Sequence, residues 1–280
     1  MRKVYPIMPR LAVNGLLAFF SLVFIYPFYI MLAGSFKSAV ELSANPAGFP
    51  IVPTLKNYQS LLNAVNGLFM NSFWNSLFVS VTYIAGVLLI SSLAAFAFAK
   101  YHFPGKTIIF TLLMTTIMIP IDVLIPPLYI MFSKMKWLST YTVQIVPGMA
   151  NVMALFLLRQ YMVGIPDAVL EAGRIDGAHT LKIYSQIVLP MSVPAMITVG
   201  LLNFMAKWSE YIWPLLMVNK MDKMPIMVVL PLISAGEQSI SFEFQLIMAG
   251  CVMATLPIVV LFIIFNKRIM LSITAGAVKF

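Results

Sequence analysis

From Leu11 to Ala33 the chain runs without a single Asp, Glu, Lys or Arg. A helix needs about 20 such residues to cross the roughly 30 Å of bilayer hydrocarbon. Five further apolar stretches follow, and the spans are expected near 11–33, 73–99, 107–132, 141–163, 190–217 and 245–265. Backbone polar groups inside lipid must be satisfied within the segment, so each stretch is expected to be helical. The expected fold class is therefore all-α: a single polytopic membrane domain over residues 1–280 with six transmembrane helices.

Composition agrees. The chain is 61% hydrophobic and 10% charged, against about 25% charged in soluble domains. A globule of this size must expose much of its surface, so lipid must be the solvent for much of it. Arg2, Lys3 and Arg10 precede the first stretch. That stretch exceeds the roughly 7–15 residues of a secretory apolar region, so it reads as a retained span. The single Cys251 can form no internal disulfide and reads as helix packing.

Lys and Arg fall singly or as adjacent pairs between the apolar runs. With the N-terminus inside the cell, Arg2, Lys3, Arg10, Lys100, Lys106, Arg159, Arg174, Lys182, Lys267, Arg268 and Lys279 are cytoplasmic. The outer side then holds only Lys37, Lys56, Lys134, Lys136, Lys207, Lys220 and Lys223. This bias favours a multi-pass protein with both termini cytoplasmic. Trp74, Trp137, Trp208 and Trp213 then fall near outer helix ends, where indole rings collect. Pro120, Pro126 and Pro127 should kink or break the third span. Such a break either lines a cavity or is simple curvature satisfied by neighbouring helices.

Catalytic chemistry is not legible. Gly105-Lys106-Thr107 resembles the end of a phosphate-binding loop, but Lys100 stands where that loop needs glycine. His102 and His179 are far apart in sequence, and no Cys/His spacing suggests zinc. The expectation is a transport subunit rather than an enzyme, with no metal or cofactor of its own.

The most polar segment is Gly164–Pro194, GIPDAVLEAGRIDGAHTLKIYSQIVLPMSVP. Asp167 can cap a short helix, Gly177 can stop it, and Thr180 can begin a second running toward Val188. Leu189-Pro190 would mark re-entry into the membrane. Ala172, Ile175 and Ala178 recur every three residues as small apolar contact points. Such an elbow can be a plain connection or a handle for a partner. The segment resembles the EAA loop of ABC-importer permeases, through Glu171, Ala172, Gly177, Ile187, Leu189 and Pro190. Asp176, Gly177, Ala178 and Pro194 are similar to the carbohydrate-uptake, maltose permease-like branch. Gly173 replaces the usual Ala and Tyr184 a frequent Phe. Asn203–Val218 resembles the fifth-helix stretch of sugar permeases, with Ser209 for Asn, and the tail SITAGAVKF resembles their T-A-G-A-V-K-G ending, with Phe280 for Gly.

The resemblance implies a type I ABC importer permease fold with cytoplasmic coupling helices in an elbow of residues 164–190. It implies a second homologous permease, two ATP-binding subunits that use ATP and Mg, and an extracytoplasmic sugar-binding protein, all at the cell membrane. Glu171, Ala172, Gly173, Asp176, Gly177 and Ala178 would couple to the ATPase, and Thr274, Ala275, Gly276 and Lys279 would contact it. A sugar, most naturally an oligosaccharide, would be carried inward; a polyol or glycerol phosphate would suit the same family. A secondary carrier, a channel or a membrane scaffold stands outside it. Cavity candidates are Tyr83, Asp122, Asn203, Trp208 and Tyr211, because sugar sites combine aromatic faces with a few polar groups. Lys207 and Glu210, three apart, are expected to form a structural pair.

Overall fold

The computed structural model describes residues 7–63, 67–235 and 243–277. It opens with α1 (Ile7–Ser35), apolar on every side. Only 6% of its best apolar window is buried, as suits a helix solvated by lipid. Two short helices follow, α2 (Ala39–Ala44) and α3 (Lys56–Asn63). The long α4 (Leu68–Lys100) comes next.

Across the expected third span, α5 (Lys106–Thr116) and α6 (Ile121–Lys134) meet at a bend of 94°. The break falls before Pro120, whose ring and missing N–H cannot continue the helix. Pro126 and Pro127 sit inside α6 without ending it, each withholding one N–H from its hydrogen-bond ladder.

The stretch expected as one helix over 141–163 is broken. It forms α7 (Tyr141–Ile145) and α8 (Val152–Val163) around Pro147 and Gly148, the latter at φ 89°. Asn151 restarts the helix, its side chain accepting a hydrogen bond from the Ala154 N–H at 2.9 Å. Then come α9 (Asp167–Ile175), α10 (Thr180–Ile183), a π-helical turn (Tyr184–Val188) and α11 (Leu189–Trp208). The fifth stretch also ends early: Ser209–Tyr211 separates α11 from α12 (Ile212–Met217).

One element was not legible as a helix. Residues 218–244, between the expected fifth and sixth spans, contain α13 (Ile226–Ala235). Ten residues reach about 15 Å, too short to cross a membrane. The chain's last helix is α14 (Phe244–Ala277). Among the described residues, four helices are long and apolar enough to span, or up to six if each sharply bent pair is one span.

The chain forms two compact units, Met1–Met70 with Leu230–Leu256, and Asn71–Val229 with Pro257–Phe280. In the second, Val87, Leu158, Met162, Ile183, Val188 and Val199 form a core from α4, α8, α10, the π turn and α11. A smaller cluster joins Phe132, Val143, Trp213, Met217 and Val218. Trp208, the last residue of α11, and Trp213 are packed inside the chain. Trp208 packs on Phe73 and Phe204, and Trp213 donates its indole N–H to the Val143 carbonyl at 2.9 Å. An indole buries a large area when its N–H finds a partner, as that of Trp213 does.

Candidate functional site: a tethered elbow and a polar cluster

The elbow begins where α8 ends. Asp167 does not cap α9; Pro166 occupies that place without a side-chain hydrogen bond, and Asp167 is the first helical residue. The Asp167 carboxylate instead meets Lys100 Nζ at 2.7 Å. Lys100 also donates to the Ile165 carbonyl, so the last residue of α4 holds the entry to α9. The Lys100 hydrogen bond and then its charge hold the Asp167 carboxyl below the usual carboxylate range.

The far end of α9 closes in a Schellman motif. Gly177, at φ 77°, donates to the Arg174 carbonyl at 3.0 Å, and Ala178 donates to that of Gly173 at 2.9 Å. Gly173 is buried, and a Cβ there would lie 2.8 Å from Ile187 Cδ1. The glycine therefore lets α9 approach the π turn closely, beside the cost in helix propensity that a glycine carries.

The second coupling segment is not a separate short helix either. From Thr180 to Trp208 the chain is helical without interruption. Pro190 offers no N–H to the turn before it, and the widened π turn absorbs that loss, with the Leu189 N–H reaching the Tyr184 carbonyl. The elbow is thus continuous in helix with α11. Tyr184 Oη and Ser92 Oγ lie 2.7 Å apart, and Tyr184 packs on Phe96, which ties the same turn to α4.

Outward, the elbow presents Glu171, Ala172, Ile175, Asp176 and Gly177, all exposed. Ile175 is 86% exposed and Leu181 63%. Ile175, the last residue of α9, and Leu181 of α10 are thus exposed aliphatic side chains, with the exposed Glu171 on α9. Thr274, Ala275 and Gly276 belong to α14, and Lys279 lies outside the described residues.

The cavity candidates separate. Tyr83 donates its hydroxyl to the Gly148 carbonyl at 3.2 Å. Asn203 accepts from Asn151 Nδ2 at 3.1 Å and donates to the Val199 carbonyl at 2.9 Å. Lys207 Nζ stands 4.9 Å from the Tyr83 ring centre and 2.6 Å from Glu210 Oε2, so the expected structural pair forms and faces an aromatic ring. Tyr83, Asn151, Asn203 and Lys207 thereby join α4, the start of α8 and α11 in one polar cluster. Trp208 is 1% exposed among aromatic neighbours. Tyr211 is exposed where α12 begins, and Asp122 in the first turn of α6.

Sequence reasoning missed Lys100 and Asn151 as site residues. Asn151, just after Pro147-Gly148, carries the signal of a helix restart. Lys100 carries none, since its partners are 65 and 67 residues away. Asn71 and Asn75, which donate to the Asp222 carbonyl at 2.7 and 2.8 Å, were invisible for the same reason.

Residues 86–273 match the model of the family described as "Binding-protein-dependent transport system inner membrane component". The chain belongs to this family. It is a multi-pass membrane component of a transport system, and the family's members are transport subunits rather than enzymes. It is 32% identical to the arabinooligosaccharides transport system permease AraQ of Halalkalibacterium halodurans over 99% of both chains. It is also 32% identical, over 100% of both, to the probable starch degradation products permease AmyC of Thermoanaerobacterium thermosulfurigenes. Among solved structures, a chain of a bacterial ABC transporter that imports the acidic polysaccharide alginate superposes with a TM-score of 0.81 at 23% identity, covering 94% of this permease and 98% of that chain. The fold is that of an ABC importer permease.

Proposed function

We propose that this permease is one of two membrane subunits of an ATP-driven importer and carries an oligosaccharide inward. The supporting observation is the tethered elbow: α9 exposes Glu171, Ala172 and Ile175 while Lys100, Gly173 and Tyr184 bind it to α4 and α11. A helix free on one face and immobilised on the other is suited to transmit force rather than absorb it. In this reading α9 docks in a cleft of an ATP-binding subunit, where Glu171 pairs with a basic side chain. Asp176, Gly177 and Ala178 shape the turn that fits the cleft, and the tail around Thr274–Lys279 adds a second contact. ATP and Mg are handled by two such subunits.

Closure of the ATPase pair moves the elbow, and the unbroken helix from Thr180 to Trp208 carries that motion to the polar cluster at Tyr83, Asn151, Asn203 and Lys207. Those groups offer hydroxyl, amide and ammonium functions beside an aromatic ring, a set that suits a sugar. ATP binding selects the outward-open state, into which an extracytoplasmic binding protein releases its sugar. The names of the two relatives favour oligosaccharides. Six membrane crossings with both termini cytoplasmic fit this arrangement.

The test is purification from native membranes in mild detergent, identification of the companions by mass spectrometry, and reconstitution with a binding protein. Oligosaccharide should stimulate ATP hydrolysis, and Glu171→Lys should abolish the stimulation while the complex still assembles. Stimulation that survives Glu171→Lys would refute the coupling role of α9. A lone chain that transports without ATP would refute the importer, and a C-terminal tag accessible from outside would refute the topology.

A further inference from the structure

Between α2 and α3 the chain exposes Phe49, Ile51 and Val52, at 77%, 77% and 72%. Phe49 hangs along α1, its ring centre 5.2 Å from that of Tyr29. Tyr29 lies six residues back from Ser35, the end of α1, or about 9 Å at 1.5 Å per residue. The loop therefore folds back down a membrane-spanning helix instead of rising away from it. Apolar side chains of α1 near the same end, Phe28 and Leu32, are also exposed.

Its backbone is prepared for such a place. Lys37 is fully buried, and its Nζ donates to the carbonyls of Asn45 at 2.7 Å and Gly48 at 2.6 Å. The Asn45 side chain accepts from the Gly48 N–H at 2.9 Å and donates to the Phe49 carbonyl at 3.2 Å. Glu41 accepts from the Ile51 N–H. Pro46, Pro50 and Pro53 have no N–H to satisfy. Irregular backbone that meets hydrocarbon must have its polar groups paired internally, and this loop turns a lysine, an asparagine and a glutamate inward to do so.

We propose that Phe49, Ile51 and Val52 form an interfacial anchor inserted into the lipid leaflet at the Ser35 end of α1, with Lys37 as the staple that shapes it. Among residues 38–55 the only charged side chain is Glu41, which is turned to the loop's own backbone, so charge does not oppose insertion.

The experiment places a nitroxide on the full chain, assembled with cysteine-free companion subunits in lipid bilayers. The single Cys251 is replaced by Ser, and Phe49→Cys is compared with Gln59→Cys, an exposed polar site on α3. Collision with oxygen, which dissolves in hydrocarbon, is measured against collision with a water-soluble nickel chelate. The anchor predicts an oxygen-to-nickel ratio several-fold higher at position 49 than at 59. Equal ratios would overturn it by putting the loop in water. Protection from both reagents would overturn it in favour of a protein neighbour: the binding protein if protection appears only on its addition, a companion subunit if it is always present. Should Phe49→Cys fail to assemble, Ile51→Cys and Val52→Cys give the same readout.

Discussion

Lys100 and Asp167 meet at 2.7 Å across 67 residues of sequence, and in the pair the lysine side chain is 4% exposed while the carboxylate is 76% exposed. The pair is asymmetric in what it does. Lys100 is the buried post to which the elbow is tied, through the Ile165 carbonyl as well as Asp167; Asp167 is the outer strand of the tether.

Removing the post should therefore matter more than removing the strand. Lys100→Met leaves the buried Ile165 carbonyl without its donor, a loss of about 1–3 kcal/mol. Amide exchange across Val169–Arg174 should accelerate, and transport should uncouple from ATP hydrolysis. Asp167→Asn should give a smaller acceleration. Because Lys100 lowers the Asp167 pKa, the pair's contribution is complete above the ordinary carboxylate value of about 4. It is lost only as pH falls through the lowered value. Exchange in the unaltered protein should thus be insensitive to the pair between pH 7 and 5, while Asp167→Asn shows at neutral pH what the unaltered protein shows only in acid.

Gly173 gives a steric test. Gly173→Ala puts a methyl 2.8 Å from Ile187 Cδ1, the mobile end of a side chain that can turn aside. Its gain in helix propensity, up to roughly 1 kcal/mol, offsets the strain, so assembly and coupled ATP hydrolysis should persist. Gly173→Leu cannot be accommodated and should cost about 1–3 kcal/mol, displacing α9. Pairing it with Ile187→Ala should restore part of the oligosaccharide-stimulated ATPase activity, an outcome that a purely propensity-based effect would not give.

Asn151 joins two elements at once, capping α8 and donating to Asn203. Asn151→Ala should lose about 0.5–2 kcal/mol from the cap and leave Asn203 Oδ1 without the Asn151 donor. Asn151→Asp retains a capping oxygen but removes the amide donor. If the polar cluster lines the sugar path, Asp should preserve thermal stability while raising the half-saturating oligosaccharide concentration. Equal loss of both would assign Asn151 to folding alone.

How much of this was legible in the chain depends on the range of the forces involved. Leu11–Ala33 and the other apolar stretches declared a membrane protein, because hydrocarbon thickness and backbone satisfaction leave few options for such runs. Pro120 announced a break, and Gly177 the end of α9, because each acts on its own backbone. The spaced residues from Glu171 to Pro190 carried the resemblance to the importer family for the same reason: they are close in sequence. Helix ends were less legible. Pro147-Gly148 split 141–163, and α13 lies between the expected fifth and sixth spans with Ile226, Val228 and Val229 buried.

By itself, then, the sequence determined the solvent, the helical class and the position of the elbow, all of which follow from local composition and backbone chemistry. Only the tertiary structure decided that Lys100 holds Asp167, that Gly173 is a contact surface, that Trp208 is buried, and that Tyr83, Asn151, Asn203 and Lys207 share one place. Each of those depends on how helices rotate and pack against one another, and that rotation is set by side chains far apart in the chain.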